Sequence, residues 1–452
     1  MMSIQSVTAL SPGVNSVTIL GYGISARSTI DFLLEREPSI EIRVSELKAR
    51  DCFAGIEDYE AKGVRFEFGQ QTIDFILRDS VDSRFVMISP GIPPHAPVIK
   101  LIKDSQVDFG TDLDLFLDFA PGKKIAVTGT NGKTTTVSLL ADIFDTQAIG
   151  NIGLPFMDFA KLKNQEVFVL EISSAQLFYS KLVKQVDCSV YLNFTDDHLD
   201  WHKDLAEYRL AKARLFEHDG VFILNQDDNV TASLKNDKSQ LFSTEAQANA
   251  YYEDGALYLA ESKLLDCAEL QLVGKHNYSN ILAASLGATE FGVKREDLET
   301  KLASFKAVPH RLEYITTVNG HKAYNDSKAT NPDSAIKALE SFDDCIAIIG
   351  GKDKNLDLRE FIKIVSVRSS YIIIIGELRK KIAMALKNVA HADFSEAETL
   401  EQAVDLAIRH DSGLPIVLVP ASSSFDMFKN YQERGDKFRQ LIYTKSSGSC
   451  SI

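Results

Sequence analysis

The sequence predicts an α/β protein of three domains: a Rossmann-like N-terminal domain, a central P-loop-type ATPase domain with a mostly parallel sheet, and a Rossmann-like C-terminal domain. Three observations predict it. Apolar, β-rich runs recur along the chain, each followed by a turn and a helical pattern. The 452 residues are too many for one ordinary core. Two of the turns, far apart in the chain, carry glycine pairs that lead from a strand into a helix.

The first domain, 1–111, opens with SVTILGYGISARSTIDFLLE, a strand, a glycine turn and an amphipathic helix, and continues with the strand EIRVSE. Gly21, Gly23 and Ala26 satisfy the form G-x-G-x-x-G/A. Glu46 lies about twenty residues further on, where a dinucleotide-binding fold keeps its ribose-reading acid. Alone, this motif predicts a bound nucleotide, NAD included, against the alternative of a plain strand-to-helix turn. VMISPGIPPHAPV then supplies a late strand and a loop at Pro90 and Gly91.

The central domain, 112–309, contains KIAVTGTNGKTTTVSLLAD, in which Gly129 and Gly132 enclose only Thr130 and Asn131. An ordinary P-loop has four residues there, but the physics survives the shortening. Backbone N–H groups at a helix N-terminus face an anion, Lys133 adds a point charge, Thr134 offers a hydroxyl to Mg²⁺, and Thr135 follows on the same turn. EVFVLEISSAQL ends its apolar run on Glu171, at the strand end where such sheets place ligands. DCSVYLNF leads to His198 at the same edge. His198 and His202 are four apart, yet no acid of an H-E-x-x-H pattern lies between them. EYRLAKARLF reads as a helix on which Lys212, taken alone, is a surface lysine. LVGKHNYSNILAASLGA begins a helix with His276, Asn277 and Asn280, and AVPHRLE at Ala307 reads as a hinge.

The last domain, 310–452, strings together KAYNDSKATNPDSAIKAL, CIAIIGGKDK, YIIIIGE and PIVLVPASSSFDMF. Asp326, Lys328, Lys354 and Ser424 would singly be ordinary surface polar groups. Their shared place after strands makes them candidates for reading a second substrate.

A formal charge of −14 argues against a broad nucleic-acid or anionic-lipid surface, while leaving room for a local phosphate pocket. Five cysteines without a C-x-x-C pair read as reduced thiols. The beginning of the chain lacks a signal-peptide pattern and the longest apolar run is of strand length, so a cytoplasmic protein without membrane or nucleic-acid partners is expected. An oxidoreductase would leave the Lys133 loop unexplained, and a nucleotide switch would leave the outer domains idle. A ligase holding a nucleotide-linked substrate, ATP with Mg²⁺, and a second substrate uses all three.

VTGTNGKTT, EISS, DDHLD, YRLAKARLF, GKHNYSN, PHRLE, YNDSKATNP and GGKDK, in that order, resemble the Mur ligase family over nearly the full length. IGNIGLPF, DSKATNP and PASSSFDMFKNYQERGDKF resemble the branch that adds D-glutamate, and the D-N-P-R motif expected of a diamino-acid branch does not occur. The resemblance implies an ATP-dependent amide ligase of peptidoglycan precursor synthesis, a monomer acting on UDP-N-acetylmuramoyl-L-alanine and D-glutamate through an acyl phosphate. It implies that Gly129 through Thr135, Asn277, Asn280, Arg311 and Asp326 contact ATP, with Lys133, His198 and Lys212 catalytic. It further implies two Mg²⁺ ions near Thr134, Glu171, His198 and Lys212, the last carbamylated. Gly23, Ser25, Glu46, Pro90, Gly91 and Asn151 would hold the UDP substrate, and Lys328, Thr330, Lys354, Ser424, Phe425 and Tyr431 would surround D-glutamate. Ala175, Glu46, Asn355, Phe425 and Tyr431 depart from the residues commoner in the family. A folate polyglutamate synthase of the same architecture and a non-catalytic nucleotide-binding module are the rival readings.

Overall fold

A computed structural model describes residues 14–77, 84–162, 165–181, 183–198, 201–272, 274–306, 308–354, 356–389 and 393–448. Ala307, Asn355 and Cys450 lie outside them. The chain divides into two compact units, Met1–Leu265 with Ser279–Leu302, and Asp266–Tyr278 with Ala303–Ile452.

The first unit holds two sheets. In one, β1 (Ser16–Leu20), β2 (Glu41–Glu46), β3 (Arg65–Phe68), β4 (Arg84–Ile88) and β5 (Asp108–Gly110) lie in the order β3-β2-β1-β4-β5. All four pairings are parallel. Strand order reverses between β1 and β4, which opens a crevice beyond their carboxyl ends. Gly21 stands there at φ +86°, and a Cβ on it would come within 3.0 Å of Ser89 Oγ. β1, β2 and β4 fall on the strands expected at SVTIL, EIRVSE and VMIS.

The second sheet comprises β6 (Lys123–Thr128), β7 (Ala148–Gly150), β8 (Val167–Glu171), β9 (Cys188–Tyr191), β10 (Val221–Asn225), β11 (Ser239–Ser243), β12 (Ala250–Glu253), β13 (Ala256–Leu259) and β14 (Ser262–Asp266). Its order is β14-β13-β12-β11-β10-β9-β6-β8-β7. The strands from β7 to β12 pair in parallel, and their buried faces explain the unbroken apolar runs of β6, β8 and β9. The antiparallel β12–β13 hairpin turns on Asp254 (φ +47°) and Gly255 (φ +80°). Both central residues are left-handed, as a two-residue hairpin turn requires.

The second unit carries β15 (Glu313–Val318), β16 (His321–Asn325), β17 (Cys345–Gly350), β18 (Ser369–Ile375), β19 (Phe394–Glu396) and β20 (Ile416–Leu418), ordered β15-β16-β20-β17-β18-β19. It is parallel, as expected, except for the β15–β16 hairpin on Asn319 and Gly320. Ile346, Ile348, Ile373 and Leu418 are fully buried on one face of this sheet, and Ala347, Ile349, Ile372 and Val417 on the other.

Candidate active site

In the first unit the site is built around the loop from Gly129 to Gly132. Gly129 (φ +155°) leaves β6, and Gly132 (φ +86°) is the N-cap of the helix Lys133–Ile143. The segment after β9 braces the loop. Asn193 accepts the Asn131 N–H at 2.8 Å and donates its amide to the Asn131 carbonyl at 3.1 Å. Thr130 Oγ1 accepts the Thr195 N–H at 3.0 Å and lies 3.2 Å from the Tyr208 hydroxyl. Neither Asn193 nor Tyr208 was singled out from sequence; their signal was a polar residue two positions past a buried strand and an aromatic four residues before Lys212.

Lys133 folds back on this loop, donating to the carbonyls of Gly129 (2.8 Å) and Thr130 (2.9 Å). Lys212, on the helix Leu205–Ala213, reaches the same Gly129 carbonyl at 2.8 Å. The surface reading of Lys212 is therefore corrected: its residue is 1% exposed, with Nζ 4.8 Å from the Tyr208 ring centroid. Burial, and next the charge of Lys133, hold its pKa well below the usual lysine range.

Glu171, also buried, closes the other side. Its Oε2 accepts the Thr134 hydroxyl at 3.0 Å and its Oε1 accepts the Asn151 amide at 2.8 Å. Asn151, expected with the UDP group, is thus brought to the phosphate loop's carboxylate. Thr135 is buried on the same helix. Asn280 lies over the loop, since a Cβ on Gly132 would collide with its Oδ1; Asn277 stands three residues earlier on the helix Lys275–Glu290. His198 is half exposed at φ +54°, its ring 5.7 Å from that of Tyr208. His202 instead turns inward to Ser174 Oγ at 2.9 Å. Among the described residues no group of three or more His, Cys, Asp or Glu is arranged to hold a metal ion.

At the β1/β4 crevice, Glu46 accepts the Tyr22 N–H at 2.8 Å and the Lys48 N–H at 2.9 Å, so this carboxylate shapes the glycine turn. Gly23 begins the helix Ile24–Arg36. Ser25 lies near Asp112, whose pKa burial raises to about 6. The Pro90 carbonyl accepts the Trp201 indole N–H at 3.0 Å, and the Ile92 carbonyl accepts the Tyr179 hydroxyl at 3.0 Å. Gly91 lies between them in the chain.

In the second unit, Asp326 is buried, accepts the Leu312 N–H at 3.1 Å, and has its pKa raised by burial to about 7, with Arg311 and Arg434 opposing the shift. Lys328 Nζ sits 4.0 Å above the Tyr431 ring, and Thr330 is half-buried. Ser424 is buried and its hydroxyl has no partner, whereas Phe425 is exposed. Lys354 is exposed. Burial, then Lys337 and Arg311, lower the His276 pKa to about 4. Among the described residues no helix is long and apolar enough to cross a membrane.

Residues 127–288 match the Mur ligase middle domain and 310–422 the Mur ligase glutamate ligase domain. The chain is 36% identical over 450 residues to the UDP-N-acetylmuramoylalanine–D-glutamate ligase of Thermoanaerobacter pseudethanolicus, covering 94% of this chain and 97% of that protein. It is likewise 36% identical over 449 residues to the ligase of that name from Koribacter versatilis, covering 94% and 96%. Among solved structures, UDP-N-acetylmuramate-alanine ligase from Thermotoga maritima shares the fold at TM-score 0.59 and 17% identity, over 95% of this chain and 99% of that one. A pseudomurein peptide ligase type C from Methanothermus fervidus does so at 0.58 and 18%, with the same coverage.

Proposed function

The chain belongs to the Mur ligase family, and on that premise we propose that it is an ATP-dependent amide ligase joining D-glutamate to UDP-N-acetylmuramoyl-L-alanine in peptidoglycan precursor synthesis. The observation that carries the ligase reading is the convergence of Lys133 and the buried Lys212 on one loop carbonyl beside the Thr134–Glu171 pair. The amino acid is carried by the names of the relatives.

In this reading the terminal carboxylate of the UDP substrate attacks the γ-phosphorus of ATP, and ADP leaves with the electrons of the broken P–O bond. The D-glutamate amine then attacks the acyl carbon, and phosphate departs from a tetrahedral intermediate. Lys133, held at the loop by the Gly129 and Thr130 carbonyls, would set a cation beside the transferred phosphoryl group, where a preplaced charge acts on the developing negative charge. Thr134 and Glu171 offer the hard oxygen donors that suit Mg²⁺, and His198 with a carbamylated Lys212 would serve a second ion. Bound there, Mg²⁺ supplies Lewis-acid neutralisation of the phosphate oxygens. A lysine with a depressed pKa has the neutral amine that carbon dioxide requires: the nitrogen attacks, a proton is lost, and a carboxylate-like group results.

The first domain, 1–111, would hold the UDP group through Gly23, Ser25, Glu46 and the Pro90–Gly91 loop. The central domain, 112–309, would hold ATP through the phosphate loop, Asn277 and Asn280; Arg311 and Asp326 keep the nucleotide-contacting role that the family motif gives them. The last domain, 310–452, would hold D-glutamate. A cytoplasmic monomer fits these soluble small substrates. The deciding experiment is phosphate release with the UDP-muramoyl-L-alanine substrate and a panel of D- and L-amino acids, alongside a folate with L-glutamate. Release that depends on D-glutamate is expected. Release with the folate, or equal use of L-glutamate, would overturn the assignment, and no acyl phosphate in a single turnover would indicate a binding module.

A further inference from the structure

Arg434 is a buried cation to which the proposed reaction gives no duty. It lies on the first turn of the helix Tyr431–Gly448 and is 1% exposed. Nε donates to Ser327 Oγ at 2.9 Å, Nη2 to the carbonyls of Ser327 (2.8 Å) and Ser422 (3.1 Å), and Nη1 to Ser422 at 3.1 Å. Ser327 Oγ in turn donates to the Tyr431 carbonyl at 2.8 Å. A Cβ on Gly351 would come within 3.2 Å of Nη1. The guanidinium therefore ties together the segments that leave β16, β20 and β17. These three strands are neighbours in the sheet, and the crevice past their carboxyl ends is where parallel sheets bind ligands.

Among the described residues the guanidinium has no counter-charge in direct contact. The four hydrogen bonds that Arg434 donates all go to neutral oxygens, and no carboxylate among the described residues forms an ion pair with it; Asp426 and Asp326 act only at longer range. Burial lowers its pKa to about 10, which still leaves it a cation at neutral pH. Beside the Ser422 carbonyl that it holds, the hydroxyls of Ser423 and Ser424 are buried without a hydrogen-bond partner. Buried polar atoms in native proteins are normally satisfied, and a buried charge normally has a counter-charge. An anion that accepts from the serine hydroxyls in the field of the guanidinium would meet both deficits.

We propose that Arg434 is the positioning residue of the amino-acid pocket, fixing the Ser327 and Ser422–Ser424 segments and favouring a carboxylate of an acidic amino acid at the vacant serine hydroxyls. This rests on the D-glutamate reading above. The test uses the full chain, with each substrate varied in turn, for the wild type and for Arg434→Met and Arg434→Lys, and with D-glutamine as the uncharged competitor of D-glutamate. Arg434→Met should raise the KM for D-glutamate about tenfold or more, leave the KM for ATP within about twofold, and reduce the preference for D-glutamate over D-glutamine, because it removes both the nearby charge and the bonds that fix the serine segments. Arg434→Lys keeps the charge and should recover most of that preference. Equal loss of preference in both variants, or a fall in kcat with every KM unchanged, would reduce Arg434 to a structural bolt. If Arg434→Met fails to fold by circular dichroism, Arg434→Lys decides: wild-type preference supports the inference and its loss overturns it. A wild type without D-glutamate-dependent release would overturn the substrate reading itself.

Discussion

Lys133 and Lys212 both donate to the Gly129 carbonyl, and one of these amines is fully buried. Burial first, and the neighbouring Lys133 charge second, lower the Lys212 pKa. The expected result for Lys212→Ala is near-complete loss of ligase activity, with partial rescue by added formate or acetate, which can occupy the space of a carbamate oxygen. Undiminished turnover would return Lys212 to a packing role. Asp326 carries the opposite shift, from 3.8 to about 7. The folded protein thus holds a proton that the unfolded chain releases between about pH 4 and pH 7, so this residue's contribution is most favourable below pH 4 and declines as pH rises through that window. Relative to Asp326→Asn, the wild type should lose roughly 2–4 kcal/mol of stability between pH 4 and pH 7.5 in urea unfolding. A difference that stays flat with pH would show that the carboxyl ionises normally.

The short loop works as an element because Gly132 is left-handed and Asn280 fills the space where a Cβ would stand. Gly132→Ala should cost about 1–3 kcal/mol, combining backbone strain with displacement of Asn280, and should abolish the rise in unfolding temperature that ATP gives. Gly255→Ala is the control: it is left-handed at φ +80°, but open space surrounds its Cβ position, so about 1 kcal/mol and an intact ATP response are expected. Equal effects of the two changes would mean that crowding by Asn280 is irrelevant. Local elements of this kind were legible in sequence where short-range chemistry sets them. SVTIL, EIRVSE and the glycine–lysine turn were placed by apolar runs and glycine spacing. The hairpins at Asp254–Gly255 and Asn319–Gly320 were equally legible from their turn dipeptides, yet were passed over because the pattern sought was strand, turn, helix. The burial of Lys212 could not be read locally, since it depends on a carbonyl 83 residues away in the chain. Arg434 was quoted within a motif but given no role, because its partners Ser327 and Ser422 come from two other segments.

At the scale of the whole molecule, the first unit joins its two sheets through a shared apolar core and through side-chain hydrogen bonds. Ser28 bonds to Asp158, Tyr179 to the Ile92 carbonyl and Trp201 to the Pro90 carbonyl. Trp201 is the chain's single tryptophan, it follows the His198 segment in sequence, and its ring packs edge-on against Phe178 and Tyr179. A ligand that settles on the proposed Pro90–Gly91 loop therefore alters the environment of one indole, and that indole belongs to the segment carrying a proposed metal-site histidine. Titration with the UDP-muramoyl-L-alanine substrate alone should change Trp201 emission in a saturable way, while D-glutamate alone, assigned to the other unit, should leave it unchanged. Trp201→Phe removes the indole N–H that the Pro90 carbonyl accepts. It should raise the KM for the UDP substrate by about three- to tenfold, the worth of roughly one hydrogen bond, with a smaller change in the KM for D-glutamate. A silent indole at saturating UDP substrate, or a Trp201→Phe enzyme with unchanged KM for it, would remove the Pro90–Gly91 loop from the UDP site and leave the Trp201 contact as packing between two sheets.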